Sequence, residues 1–186
     1  MTDAAHHHDP ACATAHGDGP TPTSDDRDLV VVYATPLAAY LLGWGRQLGF
    51  TTTLLEPQRH RVTSDHRAAA GHVEHDPRAA RPHPHSDVVV TDHGRDDLGP
   101  TMAPLVTAAP RSVGIIGSPR HAAPHAPALA EQGVEEQLID TVQRPIGLDI
   151  GSRTPPEIAV AILGGLLAQH NGRSGRLPEP TAGATA

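Results

Sequence analysis

The sequence contains no lysine, one cysteine and few aromatic residues: one Trp, two Tyr and one Phe among 186 residues. The single Cys12 excludes an internal disulfide. A net charge of −7 without a basic cluster disfavours nucleic acid and anionic membranes as partners. No apolar run approaches the ~20 residues that span a bilayer, and the amino terminus does not resemble a secretory signal. We therefore expect a cytoplasmic protein with no nucleic-acid and no membrane partner.

Proline and glycine are abundant instead, with 19 and 18 residues. Residues 1–28 are rich in Ala, His, Asp, Pro and Gly and show no hydrophobic periodicity. Such composition predicts a disordered tail, and residues 173–186 give the same prediction. The sequence thus predicts a single folded domain over residues 29–172, with disordered tails on both sides.

Short apolar runs alternate with helical patterns inside this domain. Val-rich or Thr-rich runs predict strands, and amphipathic stretches between them predict helices. The predicted strands are 29–33, 51–55, 88–90 and 112–116, and the predicted helices are 36–48, 102–109, 122–132 and one starting after residue 154. Residues 58–85 are predicted as loop with one weak helix. Continuous apolar strands that alternate with helices indicate an α/β fold, a Rossmann-like doubly wound parallel sheet.

The last helix has a strong start signal. Thr154 and Glu157 have the spacing of a capping box, and the two prolines between them suit the first helical turn. The helix is apolar nearly all round, which predicts deep burial. Just upstream, Asp149 and Gly151 belong to a glycine turn directed at this helix start. The turn is either purely structural or a ligand-facing loop, because a helix N-terminus favours an anion.

The first strand–helix turn lacks the glycines of a dinucleotide-binding fold. It reads Tyr33-Ala34-Thr35-Pro36, so side chains stand where a pyrophosphate would approach the backbone. We therefore do not expect NAD(P) to be a cofactor of this protein. Glu56, at the end of the second strand, stands where an acidic residue could contact a ribose hydroxyl.

Two further loops follow predicted strands and could bind ligands, because ligands of open α/β sheets lie at the carboxyl ends of the strands. Gly117, Ser118 and Arg120 form a small-residue turn that could hold a phosphate or carboxylate. Asp92 could orient His93 for acid–base work or metal ligation, although a structural loop is the alternative. No Cys cluster or zincin spacing supports a metal site, despite the 14 histidines.

Four segments together resemble a known family. They are Asp87-Val88-Val89-Val90-Thr91-Asp92-His93, Gly114-Ile115-Ile116-Gly117-Ser118-Pro119-Arg120, Pro145-Ile146-Gly147-Leu148-Asp149-Ile150-Gly151 and Thr154-Pro155-Pro156-Glu157-Ile158-Ala159-Val160. They are similar to the C-terminal Rossmann domain of the XdhC/CoxF family, the accessory proteins of molybdenum hydroxylases such as xanthine dehydrogenase.

The resemblance implies a maturation factor rather than an enzyme, one that binds the molybdenum cofactor and delivers it to a molybdenum hydroxylase apoenzyme. It implies that Gly117, Ser118, Arg120 and Arg153 meet the pterin phosphate. Two alternatives stay open, an NAD(P)-dependent oxidoreductase on the same fold and a degenerate scaffold that docks only a protein partner. A homodimer also stays open.

Overall fold

Five strands form one parallel sheet in a computed structural model that describes residues 27–118 and 123–177. The strands are β1 (Asp28–Val32), β2 (Thr51–Leu55), β3 (His72–Glu74), β4 (Ser86–Val90) and β5 (Ser112–Ile115). Their order is β3-β2-β1-β4-β5, so the chain builds outward from β1 to one edge and then crosses to the other side of β1. The predicted Rossmann-like doubly wound sheet is confirmed.

Helices cover both faces of this sheet. They are α1 (Pro36–Gln47), α2 (Ser64–Ala69), α3 (Leu98–Thr107), α4 (His125–Glu131), α5 (Glu136–Ile139) and α6 (Pro155–His170), with a 3-10 turn at Arg59–Arg61. No helix in this described part of the chain is long and apolar enough to cross a membrane. The predicted tails lie mostly outside the described residues, but Asp28 belongs to β1 rather than to a tail.

The core consists of two layers separated by the sheet. Because successive strand residues point to opposite faces, Leu29 and Val31 pack with helices α1 and α6 on one side. Val30 and Val32 pack with α3 and α4 on the other side. All four side chains are fully buried. Burial on both faces explains why the strand is apolar without alternation.

The segment 58–85 contains more structure than its sequence predicts. Strand β3 pairs with β2 in parallel, with His72 opposite Thr53. It is a three-residue edge strand whose first side chain is exposed and whose other two are half-buried. A strand this short and polar leaves no hydrophobic pattern, so the loop prediction was wrong there. Helix α3 also starts four residues before its predicted start and includes Pro104.

Helix α6 packs against a loop as well as the sheet. The glycine pair Gly164-Gly165 suggests a close approach to a strand, but the structure places Gly165 next to the backbone of Gly147 and Leu148. The helix is also less buried than predicted, since Val160 is 55% exposed. Its outer side therefore forms part of the surface.

Candidate functional site

A cavity of about 360 Å³ opens at the carboxyl edge of the sheet. Gly117, which follows β5, forms one wall, and the loop 145–152 and the first turns of α6 form the others. The cavity brings together three residues that the sequence selects as candidates, Gly117, Asp149 and Gly151. We call it the loop cavity.

The loop 145–152 keeps its shape through contacts with α6. Gly147 has a φ of +107°, and a Cβ at this position would lie 3.1 Å from the backbone of Ala161 and Ile162. The next N–H, that of Leu148, donates to the carbonyl of Ala161 at 3.0 Å. Only glycine can combine this φ with such a close approach. The glycine turn is thus fixed by the helix, which gives the cavity a rigid wall.

The same loop presents backbone donors. Within the described ranges, the N–H groups of Asp149, Gly151 and Ser152 have no hydrogen-bond acceptor. Gly151 has a φ of +68°, in the left-handed region. The N–H of Ile150 donates to the carbonyl of Leu148 at 3.0 Å, so Gly151 and Ser152 are the two successive donors of this set. Successive N–H groups can contribute to a concave site for an anion.

Glu157 caps the start of α6, as predicted. Its Oε2 accepts the N–H groups of Arg153 at 2.6 Å and Thr154 at 3.1 Å, and the capping box with Thr154 is complete. These two N–H donors lower the pKa of Glu157. Because the helix start is satisfied from within, an anion in the loop cavity would meet the loop N–H groups rather than the helix end.

Arginines supply positive charge near the loop cavity. Arg153 is exposed directly after the cavity wall. The guanidinium of Arg144 lies beside Gly117, with Nε 2.6 Å from the position of a Cβ on that glycine. Ser118 is half-buried next to Gly117, and Arg120 lies outside the described residues. Asp149 is exposed and places one negative charge on the same wall.

His125, the first residue of α4, is a buried polar residue that the sequence does not single out. It is 5% exposed, and its Nδ1 has no hydrogen-bond partner in the part of the chain that the structure describes. Burial lowers the pKa of His125, and the positive charge of Arg144 lowers it further. The sequence contains 14 histidines, and nothing in the local pattern marks His125 as buried. Its burial depends on the packing of distant segments.

Acidification is expected to destabilise the fold through buried histidines. The pKa of His170 is also lowered, by burial and by Arg111 and Arg27, against the opposing effect of Asp87. A folded-state pKa below that of the unfolded chain, about 6.5 for histidine, means that the unfolded state binds protons first. The free energy of unfolding should therefore fall as pH decreases below about 6.5. Urea titrations at a series of pH values measure this slope. In His125→Leu the slope should become shallower, and an unchanged slope would contradict the role of this side chain.

Glu56 occupies the other end of the carboxyl edge and is fully buried. Its carboxylate accepts the N–H groups of Ala34 and Gln58, each at 2.9 Å. It also accepts two bonds from the guanidinium of Arg95, at 3.3 and 3.2 Å. Burial alone raises the pKa of Glu56, but these donors outweigh it and the net pKa is lowered. Glu56 therefore holds the first strand–helix turn in place, and its four bonds leave no oxygen free for a ribose.

Other contacts also occupy the turn between β1 and α1, where a dinucleotide would bind. Tyr33 is fully buried with a φ of +75°, and the Arg95 guanidinium lies 4.4 Å from its ring centroid. Burial raises the pKa of Tyr33. Thr35 caps α1 by accepting the N–H of Ala38 at 3.2 Å. The backbone and side chains that a dinucleotide would contact thus bind each other.

NAD(H) and NADP(H) are expected to bind weakly or not at all. The turn has no glycine for a pyrophosphate, and Glu56 is sequestered by Arg95. Isothermal titration calorimetry of the purified chain with both dinucleotides checks this. Micromolar affinity would contradict the prediction and favour the oxidoreductase alternative.

Asp92 and His93 do not line the loop cavity. Asp92 Oδ1 accepts the N–H of Gly94 at 3.0 Å, which stabilises the local turn. His93 is half-buried, and no hydrogen bond joins it to Asp92 within residues 27–118 and 123–177. The described residues also contain no group of three or more His, Cys, Asp or Glu arranged to bind a metal. A ligand role for Asp92 and His93 stays a prediction.

Comparison with known proteins agrees with this architecture. The family model of the XdhC Rossmann domain matches residues 29–166. The chain belongs to the XdhC family. This match covers nearly all of the described chain, including every residue that lines the loop cavity, so the family resemblance seen in the four sequence segments is confirmed.

A solved structure shows the same fold at low sequence identity. It is a crystal structure described as a xanthine dehydrogenase from Bacillus halodurans, with a TM-score of 0.64 and 20% identity. The match covers 82% of this chain and 45% of the other. The XdhC-type chain thus spans less than half of that protein. No curated protein sequence matches the chain.

Proposed function

We propose that this chain is an XdhC-like accessory protein that binds the molybdenum cofactor and supports the maturation of a molybdenum hydroxylase of the xanthine dehydrogenase type. The observation that carries the proposal is the loop cavity of a chain that belongs to the XdhC family. The proposed partner is the apoenzyme of that hydroxylase.

The loop cavity fits the anionic end of such a cofactor. The molybdenum cofactor carries a pterin phosphate, which requires N–H donors and positive charge. The loop offers the N–H groups of Asp149, Gly151 and Ser152, which have no acceptor in the described chain. Arg153 directly follows the loop that lines the cavity and is exposed, and a guanidinium can bind a phosphate through two parallel hydrogen bonds. The Arg144 guanidinium lies beside Gly117, which lines the cavity.

The chain's own residues would bind and orient the cofactor, while the redox chemistry would belong to the cofactor in its client enzyme. The turn at Gly147 and the hydrogen bond from Leu148 to Ala161 hold the start of this loop against α6. Preorganised donors need no rearrangement when an anion arrives. Reversible binding without chemistry suits a protein that delivers a cofactor rather than using it.

Replacing Arg153 with alanine should weaken binding of the molybdenum cofactor by about 1.5–3 kcal/mol, the range for a hydrogen bond to a charged group. Arg120→Ala should have an effect of the same size if residue 120 also contacts the phosphate. Fluorescence titration of the isolated cofactor measures both. Arg59→Ala, at an exposed position on the 3-10 turn after β2, serves as the charge-matched control.

Two results would contradict the proposal. If the wild type does not bind the cofactor, the protein-docking scaffold becomes the better account. If Arg153→Ala and Arg120→Ala bind as tightly as Arg59→Ala, the phosphate site lies away from this loop, and Asp92 and His93 become the next candidates.

A further inference from the structure

A groove of about 490 Å³ lies on the surface of the molecule between helices α1 and α6. Its lining is almost entirely apolar and includes Trp44, Val160, Leu163 and Leu167, with Gln47 as its polar member. None of the residues that line it carries a charge. We call it the helix groove. It shares no lining residue with the loop cavity.

Large apolar side chains of the helix groove are open to solvent in the described chain. Val160 is 55% exposed, and Trp44 and Leu167 are half-buried. Tyr40, one helical turn before Trp44, is 39% exposed, and the two rings lie 5.1 Å apart between centroids. Tyr40 therefore extends the apolar surface along α1. Contiguous apolar surface that contains aromatic residues is typical of the centre of a protein–protein interface.

Two glycines on the outer sides of these helices have little reason within the chain. A Cβ at Gly43 would meet only Ala69, at 3.9 Å, and one at Gly164 would meet only the end of the Leu148 side chain, at 3.3 Å. Glycine inside a helix costs stability relative to alanine. Its use is explained where another backbone must approach closely, and at Gly164 the open side is the helix groove.

Positive charge surrounds one end of the helix groove. Helices α1 and α6 both end at the amino edge of the sheet, α1 before β2 and α6 beside Asp87 of β4. At this end Arg27 donates to the carbonyl of Leu48 at 3.2 Å. Arg46 and Arg173 are exposed nearby, on α1 and just after α6.

The opposite end has a net negative charge among the described residues. Glu157 and Asp149 are exposed there, with Arg153 as the partly compensating positive charge. Two copies that pack antiparallel therefore place the arginines of one against the carboxylates of the other. A parallel arrangement would bring like charges together. Antiparallel packing also opposes the macrodipoles of the facing helices, which is favourable.

We propose that the helix groove is the contact surface of a homodimer, in which a second copy of this chain packs antiparallel on α1 and α6 about a two-fold axis near Gly164. A two-fold interface uses the same patch on both subunits, and this patch is complementary to itself in charge. Its uncharged centre also suits a homodimer, because such interfaces are more apolar than those of transient partners. The dimer does not depend on cofactor binding in the loop cavity.

Trp44 is the single tryptophan of the sequence, so its fluorescence reports directly on the helix groove. Sedimentation velocity of the full chain, from micromolar to submillimolar concentration, should show a monomer–dimer equilibrium. Acrylamide should quench Trp44 less as the dimer fraction rises. A Trp44 that is equally open at all concentrations would overturn the proposal. Protection of Trp44 in a monomer would also overturn it, since the groove would then be covered from within the same chain.

Val160→Glu tests the surface itself. The new carboxylate is solvated in the monomer, so the thermal midpoint should change little, but in the dimer it would be buried without a partner. The dissociation constant of the dimer should rise about tenfold or more. Tyr40→Glu tests the same surface from α1 and decides if Val160→Glu does not fold.

Ala130→Glu is the matched control. Ala130 is exposed on α4, which packs on the opposite face of the sheet, and this variant should dimerise as the wild type does. A wild type that stays monomeric at every concentration would contradict the proposal. So would equal dimerisation by the wild type and the folded variants at Val160 and Tyr40.

Discussion

Replacing Glu56 with alanine is expected to lower the free energy of unfolding by about 3–5 kcal/mol, the usual cost of removing one partner from a buried ion pair. The Glu56 side chain is fully buried and the Arg95 side chain is 7% exposed. The substitution leaves Arg95 with Asp97 as its remaining carboxylate partner. It also deprives the N–H groups of Ala34 and Gln58 of their acceptor.

Urea unfolding followed by circular dichroism measures this loss. Glu131→Ala, an exposed glutamate at the end of α4, should change stability by less than about 0.5 kcal/mol. The pKa of Glu56 is lowered in the fold, so its contribution is present above the unfolded pKa, about 4.3, and is lost as pH falls below it. If Glu56→Ala unfolds at the same urea concentration as Glu131→Ala, the ion pair does not stabilise the first turn.

Replacing Asp87 with alanine is expected to cost about 3 kcal/mol, the low end of the same range, because its partner Arg111 is 26% exposed. Asp87 is fully buried in β4. Its Oδ1 accepts Arg111 Nε at 3.0 Å and Ser112 Oγ at 2.6 Å. Its Oδ2 contacts Arg111 Nη2 and lies 3.3 Å from His170 Nε2. One carboxylate therefore joins β4, β5 and the end of α6.

The thermal midpoint and the urea midpoint of Asp87→Ala both measure this effect. Asp96→Ala, at an exposed loop position, is the matched control and should be close to the wild type. The Asp87 cluster lies at the amino edge of the sheet, opposite the loop cavity, so folded Asp87→Ala should bind a ligand in the loop cavity as the wild type does. A stable Asp87→Ala variant would show that the hydrogen-bond cluster contributes little.

The candidate site was partly predictable because the topology was. Residues after parallel strands meet at one edge of the sheet, and this rule placed Gly117 at the edge where the loop cavity lies. Asp149 and Gly151 were selected by a different signal, the glycine turn before α6, and the structure brings them to the same cavity. The same rule also suggested a ligand role for Glu56, where the structure shows an internal one. The sequence around a glutamate at a strand end does not show whether its carboxylate contacts a ligand or an arginine of its own chain.

The sequence by itself determined the parallel sheet, the order of its main elements and the capped start of α6. These features depend on local patterns: apolar runs such as Val30–Val32, buried on both faces, and the capping box of Thr154 and Glu157. Local patterns of apolar residues predict which side chains are buried, because the hydrophobic effect has no directional requirement.

The contacts between polar side chains were decided only by the tertiary structure. Glu56 meets Arg95 across 39 positions, and Asp87 meets His170 across 83. It also decided the short edge strand β3 and the burial of His125. Hydrogen bonds and ion pairs need a defined distance and direction, and those are set by the packing of segments far apart in the chain.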